Sequence, residues 1–195
     1  MPFPEPLKRH PEMFRKRTVK EQRITDRFPI LNIEEPPRFD PEAWTLTVEG
    51  LVEKPGIFSW AEFSALPTEE QVSDFHCITG WSKVNNRWRG IRLQVIAGIV
   101  KPLPEAKFIT FSTVSREYYD WLTLEEAFYP DVMIALEFEG KPLEAVHGGP
   151  ARLLTPSKWA YKAVKWVRHI EFTDKKVISY WAQYGYSNEA DLEYE

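Results

Sequence analysis

Cysteine is almost absent from this sequence, because its 195 residues include a single one, Cys77. A lone cysteine excludes an intrachain disulfide, so the fold does not depend on an oxidising compartment. It also excludes a zinc site that is built on several thiolates. Long apolar runs are missing too, since the longest, residues 95–100, is far too short to span a bilayer.

Several common functional motifs are missing as well. The four histidines are scattered along the chain and lack the spacing of a helical metal site. The sequence contains neither a P-loop nor a G-x-G-x-x-G loop, which argues against nucleotide binding through such loops. The Gly-Trp-Ser sequence at residues 80–82 lacks the second glycine of a nucleophile elbow. A serine hydrolase is therefore a weak third interpretation.

Positive charge does not predominate in this chain. Lys and Arg number 25 against 29 Asp and Glu, so the formal net charge is −4, which argues against nucleic acid as the main partner. Residues 1–27 are charged and proline-rich, and they predict an arm laid over a single domain formed by residues 28–195. Because no apolar segment follows their basic residues, they do not resemble a secretory signal, and we expect a cytoplasmic protein.

Aromatic residues make up 14% of the chain, and the chain contains 16 prolines. Both are abundant, which favours a sheet-rich fold with rigid connections. Capping-box patterns at residues 59–62 and 123–126 predict two short helices, and an apolar face predicts a third helix over residues 91–100. Strands are predicted over residues 43–48, 71–77, 107–114, 132–138, 151–155 and 165–173. The elements follow no βαβ rhythm, so the predicted class is α+β, dominated by sheet.

Cys77 is the first candidate for chemistry. The commonest role of a lone cysteine is that of a small buried hydrophobic residue. However, this thiol is predicted at the end of a strand, followed by polar and glycine-containing sequence, and functional groups are often placed there. Its thiolate would be a nucleophile or a ligand for a soft metal.

A second candidate is the cluster at residues 147–152, which reads His-Gly-Gly-Pro-Ala-Arg and is followed by Lys158, Lys162 and Lys165. The glycines allow a tight turn with exposed backbone N–H groups, and Arg152 can form two hydrogen bonds to a phosphate. The cluster therefore predicts a basic pocket for an anionic ligand. A hairpin with solvated lysines explains the same residues about as well.

The aromatic run at residues 118–121 is the third candidate. Most such aromatic residues belong to a core or an interface. A catalytic role for a tyrosine needs a positioned partner, which the sequence alone does not identify.

These motifs together resemble the sulfite oxidase family of molybdopterin oxidoreductases, and the small stand-alone prokaryotic members in particular. Residues 74–90, DFHCITGWSKVNNRWRG, are similar to the family's molybdenum-cysteine segment, and residues 147–152 match its H/N-G-x-P-x-R loop. Residues 162–166, KAVKW, resemble the later S-x-K-W stretch. Residues 28–31 and 44–50 resemble the entry to the domain. The resemblance covers roughly residues 20 to 190.

The resemblance implies a mixed α+β fold around one molybdenum–molybdopterin cofactor. Cys77 would be the protein's sulfur ligand to molybdenum. Tyr118 would be an active-site tyrosine that hydrogen-bonds the substrate oxygen or a metal oxo group. The residues that the resemblance places on the cofactor are Asn32, His76, Cys77, Thr113, His147, Arg152, Lys162, Ala163, Val164 and Lys165.

The implied activity is oxygen-atom transfer to or from a small sulfite- or sulfoxide-type substrate. Two arginines of the sulfite oxidases are absent here, one before the first domain strand and one shortly after the cysteine. A doubly charged oxyanion needs fixed cations to replace its hydration, so these departures weaken the case for sulfite. They leave a neutral or less charged oxygen acceptor or donor, such as a sulfoxide, as a candidate. Because the chain leaves no residues for a haem domain, we expect electrons to be exchanged with a separate carrier.

A different class of function is compatible with the same residues. A non-catalytic module would keep the fold and use the basic groove to bind another anionic ligand or a partner protein. Molybdenum content distinguishes this module from an enzyme.

Overall fold

The computed structural model describes Val19 and residues 22–192, and within these residues two β-sheets pack with short helices. The strands are β1 Arg23–Ile24, β2 Thr45–Gly50, β3 Gly56–Ser59, β4 Glu69–Cys77, β5 Trp81–Arg92, β6 Phe108–Ser112, β7 Tyr119–Thr123, β8 Met133–Phe138, β9 Lys141–Pro142, β10 Arg152–Leu154 and β11 His169–Thr173. The α-helices are α1 Trp60–Ser64, α2 Leu93–Val100 and α3 Leu124–Ala127. The predicted sheet-rich α+β class is confirmed.

The first sheet carries the segments that later form the site. Its strand order is β1-β5-β8-β10, with β4 paired to β5 and β9 to β8. Antiparallel pairing of β4 with β5 places Cys77 opposite Trp81 at the turn between the two strands. Antiparallel pairing of β10 with β8 places Arg152 opposite Ala135. Cys77 and Arg152, which are 75 positions apart in sequence, are thus held by one sheet.

The second sheet has the order β3-β2-β11-β6-β7, with β2 and β11 parallel and the other pairs antiparallel. The main hydrophobic core includes buried residues of both sheets and the buried face of α2. A smaller core surrounds the fully buried Trp88 and includes Phe75, Cys77 and Ala163. This smaller core supports the floor of the site.

Both predicted capping boxes are present. The side chain of Ser59 accepts a hydrogen bond from the Glu62 backbone N–H at the start of α1, and Thr123 does the same from Glu126 at α3. In each case the glutamate carboxylate accepts from the cap residue in return. These reciprocal bonds satisfy backbone donors that a short helix otherwise leaves free.

Some boundaries differ from the predictions because strand pairing overrides local pattern. Ile91 pairs with Ile134 of β8, so α2 begins at Leu93 and not at residue 91. The 12-residue strand β5 was not predicted, since its many polar residues obscure the alternation of buried and exposed positions. The strand predicted from residue 165 begins at His169, after Trp166 adopts a φ of 50°.

Part of the predicted arm belongs to the first sheet. Arg23 and Ile24 pair in parallel with Trp81 and Ser82. Residues 1–18, 20, 21 and 193–195 lie outside the described residues, so the boundary at residue 28 stays a prediction. In the described part of the chain, no helix is long and apolar enough to cross a membrane.

Gly90 generates a testable prediction about the first sheet. A Cβ atom at this position would lie 2.3 Å from the Ile134 carbonyl oxygen and 2.8 Å from the Ala135 Cα. We expect Gly90→Ala to lower the free energy of unfolding by about 1–3 kcal/mol, because backbone must shift to relieve the overlap. Gly56→Ala is the matched control, since a Cβ there meets no atom within 4 Å. Urea unfolding of both variants measures the difference, and equal stabilities would contradict the close approach of β5 and β8.

Candidate functional site

A cavity of about 320 Å³ lies beside the end of β4, next to the start of β10. This size falls in the range of small-molecule and cofactor pockets. The lining residues are Phe28, Pro29, Leu31, Asn32, Ile33, Phe75, Cys77, Ile78, Thr79, Trp81, Thr113, Tyr118, Arg152, Ala160, Tyr161, Ala163, Lys165, Trp166, Trp181 and Tyr186.

Cys77 is the last residue of β4 and is 8% exposed. Its Sγ atom lies 3.1 Å from Thr79 Oγ1 in the turn that follows. That turn is closed by the Gly80 N–H, which donates to the Cys77 carbonyl over 3.1 Å, and Gly80 has a φ of 90°. Since glycine tolerates this conformation best, Gly80 helps the chain to reverse and leave the thiol on the cavity wall.

Arg152 is a buried cation on the same cavity. Its Nη1 donates to the His147 carbonyl over 2.8 Å, and its Nη2 lies 3.5 Å from the Ala163 carbonyl oxygen. The guanidinium lies 4.7 Å from the centre of the Phe75 ring, and its buried Nε has no partner. Burial lowers the pKa of Arg152 to about 10. No ion pair within the described residues involves Arg152.

Lys165 is the second cation of the cavity. Its Nζ donates to the Leu31 and Val146 carbonyl oxygens, each over 3.0 Å, and to Asn32 Oδ1. Burial, together with the positive charge of Arg152, lowers the pKa of Lys165 to about 7. Burial disfavours the charged forms of both Arg152 and Lys165, and a bound anion would stabilise them. The pair therefore indicates a site for an anion.

Residues 28–34, which we call the strap, cross one side of the cavity. At one end the Phe28 ring stacks on His147, with ring centres 4.4 Å apart and an interplanar angle of 9°. At the other end the Glu34 carboxylate accepts hydrogen bonds from Thr113 Oγ1 over 2.9 Å and from the Tyr118 backbone N–H over 3.2 Å. The strap therefore contacts both the His147 loop and the loop that carries Thr113 and Tyr118.

Tyr118 and Thr113 line the cavity. The Tyr118 hydroxyl donates to the Tyr161 carbonyl. Burial raises the pKa of Tyr118 well above its usual value, and the negative charge of Asp120 adds to this increase. The phenol therefore remains protonated and able to donate a hydrogen bond.

Seven of the residues predicted for the site lie on the cavity together: Asn32, Cys77, Thr113, Tyr118, Arg152, Ala163 and Lys165. The other four predicted residues are not among the lining residues. His76 is 3% exposed, with Nδ1 2.7 Å from Ser82 Oγ, and His147 contacts two lining residues, Phe28 through its ring and Arg152 through its carbonyl. Val164 is fully buried, and its carbonyl accepts from Leu153.

Lys162 lies in the core, away from the cavity lining. Its Nζ is 2.6 Å from Asp120 Oδ1 and donates to the Trp121 carbonyl over 2.9 Å, and both members of the ion pair are 1% exposed. Burial raises the pKa of Asp120 and lowers that of Lys162, so each charge depends on the other. In this structure Lys162 stabilises the fold behind the cavity.

One wall of the cavity is aromatic, and the sequence alone does not predict it. Tyr186 contacts both Tyr161 and Trp181, with ring centres 5.8 Å apart for the two tyrosines and 5.4 Å for Trp181 and Tyr186. The abundance of aromatic residues was the available signal, but it does not say which of them share a surface. Thr79 and Trp81 were also missed, although both lie within the cysteine segment.

The lining residues fit the molybdenum–molybdopterin cofactor that the resemblance implies. The thiol supplies a soft ligand, and the unpartnered Nε of Arg152 is a buried donor for an anionic group such as a phosphate. Among the described residues, no three His, Cys, Asp or Glu side chains come together as a metal site.

Comparisons with known proteins agree with this fit. Residues 33–181 match the family model of the oxidoreductase molybdopterin binding domain. The oxidoreductase YuiH of Bacillus subtilis is 32% identical over 176 residues, which cover 90% of this chain and 88% of that protein. The catalytic subunit of the protein-methionine-sulfoxide reductase MsrP of Campylobacter jejuni is 30% identical, over 75% of this chain and 54% of that subunit.

Among solved structures, the sulfane dehydrogenase SoxCD from Paracoccus pantotrophus has a similar fold, with a TM-score of 0.68 and 25% identity. The match covers 75% of this chain and 42% of that chain. This chain thus spans most of YuiH but only about half of the MsrP subunit and less than half of the SoxCD chain.

The buried pair behind the cavity generates a stability prediction. Asp120→Asn keeps the shape of the side chain but leaves the Lys162 ammonium buried without a counter-charge, so we expect a loss of about 3–5 kcal/mol in the free energy of unfolding. The double variant Asp120→Asn/Lys162→Met removes both charges and should recover much of the loss. Denaturant unfolding measures all three proteins. A double variant no more stable than the single one would contradict this account of the pair.

Proposed function

The chain belongs to the oxidoreductase molybdopterin binding domain family, and from that premise we propose that its cavity holds the molybdenum–molybdopterin cofactor with Cys77 as the protein's ligand to the metal. One observation carries this assignment. The Cys77 thiol lies on the same cavity as the buried guanidinium of Arg152, which has no carboxylate partner among the described residues. A thiolate and an unpaired cation are the two groups that a metal with an anionic pterin ligand requires.

Each residue of the cavity has a role that follows from its contacts. Arg152 binds the phosphate of the cofactor through Nε, the donor that the protein leaves unused. Lys165 adds positive charge, while its own hydrogen bonds go to the strap and to Val146. Ala163 contributes its carbonyl, which orients Arg152.

When bound, the cofactor supplies two-electron redox chemistry and the centre for oxygen-atom transfer. Tyr118 lies on the cavity with a hydroxyl that stays protonated, so we assign it the role of hydrogen-bond donor to the substrate oxygen. In the structure the single hydrogen of this hydroxyl goes to the Tyr161 carbonyl, so donation to the substrate oxygen requires it to turn from that carbonyl to the substrate. Thr113 is held in turn by Glu34.

The substrate that the cavity favours is a neutral S-oxide. Arg152 and Lys165 are the cations among the lining residues, and Arg152 would be paired with the phosphate of the cofactor. The remaining polar groups of the lining are neutral hydroxyls, an amide and ring N–H groups. A sulfoxide would take up two electrons and two protons and give a sulfide and water. The electrons would come from a separate redox carrier. MsrP, a sulfoxide reductase by name, supports this substrate class, whereas sulfite remains the second candidate.

The chain is an oxidoreductase domain, so the non-catalytic module is the weaker of the two functions considered from the sequence. A cytoplasmic location remains a prediction.

Substitution of the thiol tests the proposed function. We expect Cys77→Ser to keep much of the pterin but to abolish oxygen-atom turnover, because a hydroxyl is a harder and weaker ligand than a thiolate. The assay follows oxidation of a reduced dye by molybdenum-loaded protein in the presence of methionine sulfoxide, and the wild type should use this substrate with a higher kcat/KM than sulfite in the reverse assay. Turnover that is unchanged in Cys77→Ser would refute the assignment of the ligand, and a preference for sulfite would refute the substrate class.

Arg152 gives a second test, which needs no turnover. We expect Arg152→Ala to weaken cofactor binding roughly 10–100-fold, since a charge-assisted hydrogen bond to phosphate is worth about 1.5–3 kcal/mol. Molybdenum and pterin content per chain after gel filtration measures this loss. Arg89→Ala is the control, because Arg89 is an exposed arginine that pairs with Glu137. Full cofactor occupancy in a folded Arg152→Ala protein would mean that another residue binds the phosphate.

A further inference from the structure

The strap is held firmly at its ends and lightly in its middle. The Phe28 ring packs into the smaller core, 5.1 Å from the centre of the Phe75 ring and 5.3 Å from that of Phe138. Glu34 accepts three hydrogen bonds at the other end, from Thr113, Ser115 and the Tyr118 backbone. These contacts fix where the strap enters and leaves the cavity wall.

The middle of the strap lies between the cavity and the solvent. Pro29, Leu31, Asn32 and Ile33 all line the cavity. Yet Ile30 is 53% exposed, Leu31 56% and Ile33 43%. A segment with one face on a cavity and the other in water, and with little apolar burial of its own, belongs to the part of a structure that opens at low free-energy cost.

Lys165 is the residue that ties the middle of the strap to the rest of the protein. Among the described residues, the hydrogen bonds recorded for residues 29–33 are those from Lys165 Nζ to the Leu31 carbonyl and to Asn32 Oδ1. The third hydrogen of the ammonium goes to Val146. A lysine has three donors, so the closed strap takes two of them and the Val146 carbonyl takes the third.

The side chain of Lys165 is itself well anchored. Its Cβ and Cγ atoms pass so close to Gly148 that a Cβ at that glycine would lie 3.0–3.1 Å from them. The next residue, Trp166, donates through its indole nitrogen to the Ala145 carbonyl over 2.7 Å. The ammonium is thus presented to the strap from a rigid turn.

We propose that Lys165 is a positioning residue that keeps the strap closed over the cavity, and that release of its two hydrogen bonds to Leu31 and Asn32 opens the cavity to solvent. Opening of the strap gives large ligands access to Cys77 and Arg152 without disruption of either sheet. The inference rests on the proposed function only for the identity of the ligand that enters.

The lone thiol provides a direct reporter of opening. Cys77 is the one cysteine of the chain and lines the cavity beneath the strap. Its rate of reaction with Ellman's reagent in cofactor-free protein therefore measures access to the cavity. We expect Lys165→Met to raise this rate at least tenfold and Asn32→Ala to raise it several-fold, because the first substitution removes both strap contacts and the second removes one.

The sign of the effect separates the proposal from simple electrostatics. Loss of a nearby cation makes a thiolate less stable, so without strap opening Lys165→Met would slow the reaction. The double variant Lys165→Met/Asn32→Ala should react no faster than Lys165→Met, since the Asn32 contact is already lost. Lys141→Met, at an exposed lysine of β9, is the matched control and should keep the wild-type rate.

Urea distinguishes opening of the strap from unfolding of the whole protein. Labelling through a local opening changes little at low urea concentrations, whereas labelling through global unfolding rises steeply. A rate for Lys165→Met at or below that of the wild type would overturn the proposal, as would a steep urea dependence or an additive double variant. Failure of the proposed function would appear separately, as a labelling rate that does not fall when the protein is loaded with cofactor.

Discussion

The arrangement of the site depends on the buried positive charge of Arg152. Transfer of a guanidinium from water into a protein interior costs free energy unless an opposite charge compensates it. Here two backbone carbonyls and the face of Phe75 provide part of the compensation, and no carboxylate takes part among the described residues. The fold thus holds a cation ready for an anion that the described residues do not supply.

Two nearby lysines show how the protein separates stability from binding. Lys162 and Lys165 are three residues apart, and both are largely withdrawn from water. Lys162 meets the buried carboxylate of Asp120 and contributes to the core. Lys165 meets carbonyl and amide oxygens, so its charge is left uncompensated beside the cavity. The position of one carboxylate therefore decides which lysine is paired in the core and which lies on the cavity without a carboxylate partner among the described residues.

The cavity also combines rigid and movable walls. Cys77 and Arg152 lie on strands of one sheet, where backbone pairing limits their movement. The strap precedes both residues in the chain, and its middle is held by the side chain of Lys165. A cofactor site needs this combination, because the ligands must keep their geometry while the cofactor must be able to enter.

The sequence by itself determined the sheet-rich class, both capping-box helices and six of the eleven described strands, because these depend on local patterns. It also marked Cys77 and Arg152 as candidates through motifs with distinctive residue types, and their roles stay predictions. It could not reveal β5, because the alternation of buried and exposed residues in this polar strand arises only when β4 and β8 pair with it. It also could not separate Lys162 from Lys165, or identify Tyr161, Trp181 and Tyr186 as one wall. Those outcomes depend on contacts between residues far apart along the chain. Only the tertiary structure decides which carboxylate, carbonyl or ring lies within a few ångströms of each charge.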